Sequence, residues 1–239
     1  MRTIKFIASA YPKEHQIEAF TWSGRLDESG KLWFDLHLKT QDYYRSEGEE
    51  YSEEEEEELE DDTPYTSLVE WQSKSVWDNY HQCILSSVYW SDEKGILLCD
   101  KGESFRFDAL HNKVFSLDAL PLSDDKIESD LAFGIYLLGH DLCANHRLVF
   151  TPLDQGTWDI KWEGNIALAY GGFYEYIHEF QAHITDAVFE GFYFPTSWSI
   201  EEATTRFKAV LADFENYEFL DRNPKSNKRE YKLMLLKNS

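Results

Sequence analysis

From Trp158 to Tyr170 every even position except Gly164 carries a large apolar side chain: Trp158, Ile160, Trp162, Ile166, Leu168 and Tyr170. The odd positions are Asp159, Lys161, Glu163, Asn165, Ala167 and Ala169. A period of two puts one face of a β-strand on a core and the other in water. Gly171-Gly172 follows, the pair favoured by a tight primed hairpin turn because glycine tolerates positive φ. Tyr174, Tyr176, His178, Phe180, Ala182 and Ile184 then continue the alternation. A long antiparallel hairpin is expected, with the rest of the domain built on it.

An earlier stretch has the same pattern. Phe20, Trp22 and Leu26 alternate around Gly24, Asp27-Glu28-Ser29-Gly30 supplies a turn, and Leu32, Phe34, Leu36 and Leu38 alternate again. The spacing Phe20-x-Trp22-x-Gly24-x-Leu26 matches Ile160-x-Trp162-x-Gly164-x-Ile166. An internal duplication would explain this, and so would two long hairpins that share common residue types. Residues 1–10 read as a first strand. Shorter strands are expected at Ile84–Trp90, Ile96–Asp100, Phe105–Phe107 and Val114–Leu117, and Leu131–Leu138 is apolar on both faces, as a strand buried on both sides would be. Ser199-Ile200-Glu201-Glu202 is a capping box that opens a helix. Ile200, Ala203, Phe207, Val210, Leu211 and Phe214 share one face of it, to about Glu215. Tyr231–Leu236 closes the chain as a strand.

The fold class is therefore mainly β, a sandwich or barrel-like antiparallel sheet, with one C-terminal amphipathic helix at about 200–215. A length of 239 residues fits one such domain, or two related β subdomains at 1–120 and 121–239.

Charge is the second constraint. The chain carries 45 acidic and 23 basic residues, a formal net charge of −22. Glu47 to Asp62 holds 12 of the acidic residues and no basic one, and is expected to be a disordered, solvated loop at 47–62. Without it 33 acidic residues still face 23 basic ones, so the acidity belongs to the whole molecule. Nucleic acid and anionic membranes are polyanions and are disfavoured as direct partners, whereas a basic protein is favoured. No apolar run approaches the roughly 20 residues that span a bilayer. Arg222 to Ser239 reverses the sign, with six basic residues and one acidic. This basic end is expected to lie against the molecule's own acidic surface.

Cys83, Cys99 and Cys143 are odd in number and irregular in spacing, which speaks for a reducing compartment, most simply the cytoplasm, over a disulfide framework. No cofactor is implied. The sequence contains no G-x-S-x-G, no phosphate-cradling glycine loop and no H-E-x-x-H. His140, Asp141, Cys143 and His146 form the densest group of metal-capable side chains, at a spacing that matches no zinc pattern, and read first as a polar turn. His178 sits on the apolar face of its strand, as a core histidine held by a hydrogen bond would. Trp33 is out of phase with Leu32, Phe34 and Leu36, which marks it as a surface aromatic.

The expected function is that of a non-catalytic acidic interaction protein that binds and masks a basic partner, as immunity and inhibitor proteins do. Glu53, Glu54, Glu55, Glu56, Glu57, Glu58, Asp61, Asp62 and Trp33 are its candidate partner-binding residues. The alternative is a carbohydrate-binding or carbohydrate-hydrolysing β protein, whose rings would stack on sugars.

Overall fold

The computed structural model describes residues 2–7, 14–41, 82–87, 94–123, 130–137, 139–225 and 230–236. The first half supplies β1 (Arg2–Phe6), β2 (Glu14–Leu26), β3 (Leu32–Thr40), β4 (Ile84–Ser86), β5 (Ile96–Cys99) and β6 (Val114–Leu117). The second supplies β7 (Gly134–Tyr136), β8 (His140–Pro152), β9 (Trp158–Ala167), β10 (His178–Ala187) and β11 (Phe189–Tyr193). Helix α1 (Ile200–Val210), β12 (Tyr217–Asp221) and β13 (Tyr231–Leu235) complete the chain.

Eight strands close into an antiparallel barrel in the order β1–β2–β3–β4–β7–β8–β9–β10 and back to β1. β4 and β7 are short and wall off only part of the edges of β3 and β8. Further along those same edges, β5 takes over beside β3 and β6 beside β8. The chain between β5 and β6 carries Phe105 and Phe107 into the core at that end. β1 is likewise short. Past its Arg2 end, the chain of β10 bends at Asp186 (φ 54°) and continues as β11, which closes on β2 in parallel. Arg2 pins the bend, its guanidinium donating to the carbonyls of Thr185 (3.0 Å) and Asp186 (2.8 Å). β13 and β12 extend the sheet outward from β11.

An eight-stranded ring leaves a lumen just wide enough for side chains. Here the inward positions fill it. Trp22 on β2 meets Phe150 on β8, from the opposite wall, at 5.1 Å between ring centroids. Phe34, Phe107, Trp158 and Phe189 surround the same tryptophan. A second cluster in the other half of the barrel gathers Trp162, Phe133, His146 and Phe180. Both tryptophans are fully buried, as their phase predicts. The two similar segments, in β2 and β9, stand an odd number of places apart around the ring and so run in opposite directions.

The structure departs from expectation where backbone hydrogen bonds override local pattern. Gly171-Gly172 does not make a two-residue turn. β9 ends at Ala167, and buried Leu168 turns the chain by accepting from the amides of Gly171 (3.0 Å) and Phe173 (3.1 Å). β10 starts only at His178, so the connection is a long loop. His178 is half-buried at that strand end, and burial pushes its imidazole down to about 4. Phe105–Phe107 is not a strand: Phe105 makes an isolated bridge to Leu211, and Phe107 opens a 3-10 turn. That bridge also shortens the helix. Ser199 caps α1 as expected, its Oγ accepting from the Glu202 amide at 3.1 Å. The Val210 carbonyl, however, is taken by the Phe105 amide at 2.7 Å, so the helix ends there and not near Glu215. The strand expected over Leu131–Leu138 is confined to Gly134–Tyr136, and the polar turn expected at His140–His146 is instead the first half of β8. None of the described helices is long and apolar enough to cross a membrane.

Trp162 anchors its cluster, so Trp162→Ala should cost about 3–5 kcal/mol of stability, the range for emptying a buried aromatic site. Denaturant unfolding measures it; a wild-type midpoint would show that the ring is not part of the core.

Candidate functional site

The singled-out residues that the structure describes do not converge on one site. Glu53 to Glu58, Asp61 and Asp62 lie outside the described residues. Trp33 is not a surface aromatic; it is only 7% exposed. It does point away from Phe34, but its cross-strand partner Arg25 lies over the ring at 5.1 Å and Lys31 stands at 5.9 Å. Its Nε1 donates to Asp27 Oδ2 at 2.8 Å. Long basic stems cover apolar surface readily, which phase alone does not reveal.

The four metal-capable residues are dispersed along β8. Asp141 and Cys143 are buried, whereas His140 is exposed and packs edge-on against Tyr136 at 5.5 Å. His146 is buried in the Trp162 cluster, and its Nδ1 accepts from Trp162 Nε1 at 3.2 Å. Indole nitrogen only donates, so this bond fixes the neutral tautomer with its proton on Nε2. Among the described residues no three His, Cys, Asp or Glu side chains are grouped closely enough to hold a metal. The three cysteines are free and buried. Burial pushes the Cys83 and Cys143 thiols up, and that of Cys99 to about 11, which makes all three poor nucleophiles.

Two polar clusters serve the fold. Arg25 grips Asp35 through Nε, at 3.1 and 3.0 Å to its two oxygens, and Ser87 Oγ donates to the same carboxylate at 3.2 Å. Burial raises the Asp35 carboxyl above its ordinary range, against the pull of Arg25 and Ser87. Arg25 Nη2 also donates to the carbonyl of buried Lys94, which ties β2 to the chain entering β5. His37 Nδ1 lies 3.1 Å from Ser86 Oγ, but Ser86 is fully buried and out of a substrate's reach.

A cleft of about 300 Å³ opens on the outer wall, over β8, β9 and β10. It owes its shape to a bulge in β8 between Ala144 and Arg147. Asn145 occupies the bulge with φ 54°, and its amide donates to the Asp118 carbonyl at 2.7 Å, just past β6. The bulge turns His146 into the core, where it floors the cleft beside Gly164 and Phe180. Gly164 is required by close packing. A Cβ there would stand 2.6 Å from Phe180 Cε1 and 2.8 Å from His146 Nδ1.

The walls are polar. Asn145 Nδ2 donates to Asn165 Oδ1 at 2.9 Å, and Asn165 Nδ2 donates to the Tyr176 carbonyl at 3.1 Å. Arg147 and Glu163 approach at 3.8 Å, both about half exposed. Glu179 and Gln181, on β10, face Asn165 and Glu163 across the ladder. Beyond the Tyr176 end stands the β9–β10 loop, with Tyr170, Tyr174 and Ile177 exposed at 68%, 66% and 69%.

The sequence reading missed Asn145, Asn165, Glu179 and Gln181, since no motif links them. The one available signal was Gly164, the break in an otherwise large apolar series, because a strand glycine marks close approach by another group. Comparison with protein-family models, curated proteins and solved structures finds no match for the chain.

Gly164→Ala should force Phe180 and His146 apart and lower stability by about 1–3 kcal/mol, the usual cost of overpacking. Thermal or denaturant unfolding reads this directly. An unchanged midpoint would show that the cleft floor is loosely packed.

Proposed function

We propose that the chain is a non-catalytic, acidic interaction protein that binds a basic partner protein and masks it, as immunity and inhibitor proteins do. The observation that carries this reading is where the charge stands. The lumen is occupied by the protein's own rings, and the charged side chains of the described residues lie almost entirely outside. Among the described residues only Asp35, Lys94, Asp141 and Asp213 are buried charges. Several cations are held against the molecule itself. Arg106 pairs with Asp108 at 2.8 Å, and Arg206 pairs with Glu202 at 2.9 Å and lies over Trp198 at 4.2 Å. Of the basic C-terminal end, Arg222 and Lys232 lie over Tyr193 at 4.6 and 5.9 Å. Among the described residues acidic side chains outnumber basic ones, and nearly all of these acids face solvent. Such a field steers a basic protein toward it and competes for sites built to hold phosphates.

A second reading, a carbohydrate-binding or carbohydrate-hydrolysing protein, draws support from the exposed Tyr170 and Tyr174 on the β9–β10 loop. Salt separates the two, because stacking on a neutral sugar is insensitive to it and docking of opposite charges is not.

The test is affinity capture at low salt, identification of the protein that elutes at high salt, and titration of that purified protein. A basic partner should form a defined complex whose affinity falls steeply with salt, and the complex should lose affinity for nucleic acid. A bound neutral saccharide, a salt-insensitive complex or no partner would overturn the reading.

A further inference from the structure

We infer that the cleft over β8–β10 receives an arginine side chain of the partner. This rests on the basic-partner reading and locates its contact.

The cavity itself is the first argument. At about 300 Å³ it is at the lower end of ligand-site volumes, suited to one side chain or a small molecule and not to a folded surface. The charge is the second. Two carboxylates, Glu163 and Glu179, line the cleft against one cation, Arg147. Lys5 lies next across the sheet from Gln181, but it has Glu14 on its other side. The local balance remains negative, which disfavours phosphates and carboxylates and favours a cation.

The kind of cation follows from the acceptors. Glu163 and Glu179 stand on neighbouring strands, and the Asn145–Asn165 bond uses the Nδ2 of Asn145, leaving its Oδ1 as a further acceptor. A guanidinium presents five N–H donors in a planar fork and can meet acceptors in several directions at once, whereas an ammonium is a compact point charge. Arg147 engages Glu163 only at 3.8 Å, a separation an incoming guanidinium can outcompete. At the rim, Asn165 Nδ2 donates to the Tyr176 carbonyl, which holds its amide in place beside the incoming side chain.

N-acetyl-arginine amide is the probe, titrated into the full chain and followed by backbone amide shifts. Saturable shifts are expected around Asn145, Arg147, Glu163 to Asn165 and Glu179 to Gln181, with N-acetyl-lysine amide binding more weakly. Glu179→Gln should weaken the arginine probe about tenfold, as loss of a charge-assisted bond does. Glu28→Gln, on the β2–β3 turn across the barrel, makes the same charge change and should leave binding unaltered. Shifts elsewhere, equal weakening by both variants, or a neutral sugar saturating the cleft in place of the arginine probe would overturn the inference. Failure here is separable from failure of the function. A basic partner that binds wild type and a Glu163→Gln, Glu179→Gln double variant equally refutes the cleft and leaves acidic docking standing, whereas no basic partner refutes both.

Discussion

The contact of Trp22 with Phe150 across the lumen is the constraint from which the other features follow. A ring of eight strands is either filled by its inward side chains or left open to a small ligand, and here large inward residues meet in the middle. Period-two stretches therefore recur in β2, β3, β9 and β10, with Trp22 and Trp162 at the centres of the two clusters. Glycine enters where a ring needs the space. Gly24 lies directly under the Phe192 ring, and Gly164 under Phe180 and His146. Where strands are too short to complete the wall, aromatic side chains close the gap: Phe107 from the β5–β6 connection and Phe189 from β11 meet at 4.9 Å.

The same constraint bears on where the proposed contact can lie. A lumen packed with aromatic rings leaves no room for a ligand, so the proposed docking uses the outer wall. There the alternation leaves polar residues on β9 and β10. A bulge in β8 opens a break in that wall to which polar residues from three strands contribute. The bulge also carries His146 inward and Asn145 outward. Core packing and cleft shape thus share a cause.

Much of the fold was legible in the sequence because it depends on local period. The phases of Trp22, Phe34, Trp162 and Phe180 and the Ser199 cap all follow from neighbours a few residues away. What local pattern did not reveal depends on distant partners. The end of α1 is set by Phe105, some hundred residues earlier in the chain. The burial of Trp33 is set by side chains that cover it, not by its phase. The long β9–β10 loop is set by the buried Leu168, which no glycine-pair rule anticipates. The cleft was least legible, since Asn145 and Glu179 become neighbours only through the pairing of β8, β9 and β10.

The most direct test of the filled barrel is a methyl NMR titration with a long-chain fatty acid, the kind of apolar ligand an open eight-stranded barrel would hold. The methyl groups of Ile4, Leu38, Ile160, Ile166 and Ile184 should keep their positions throughout, since the space they face is occupied. Saturable shifts of those methyls would show a ligand entering the lumen and would contradict the account.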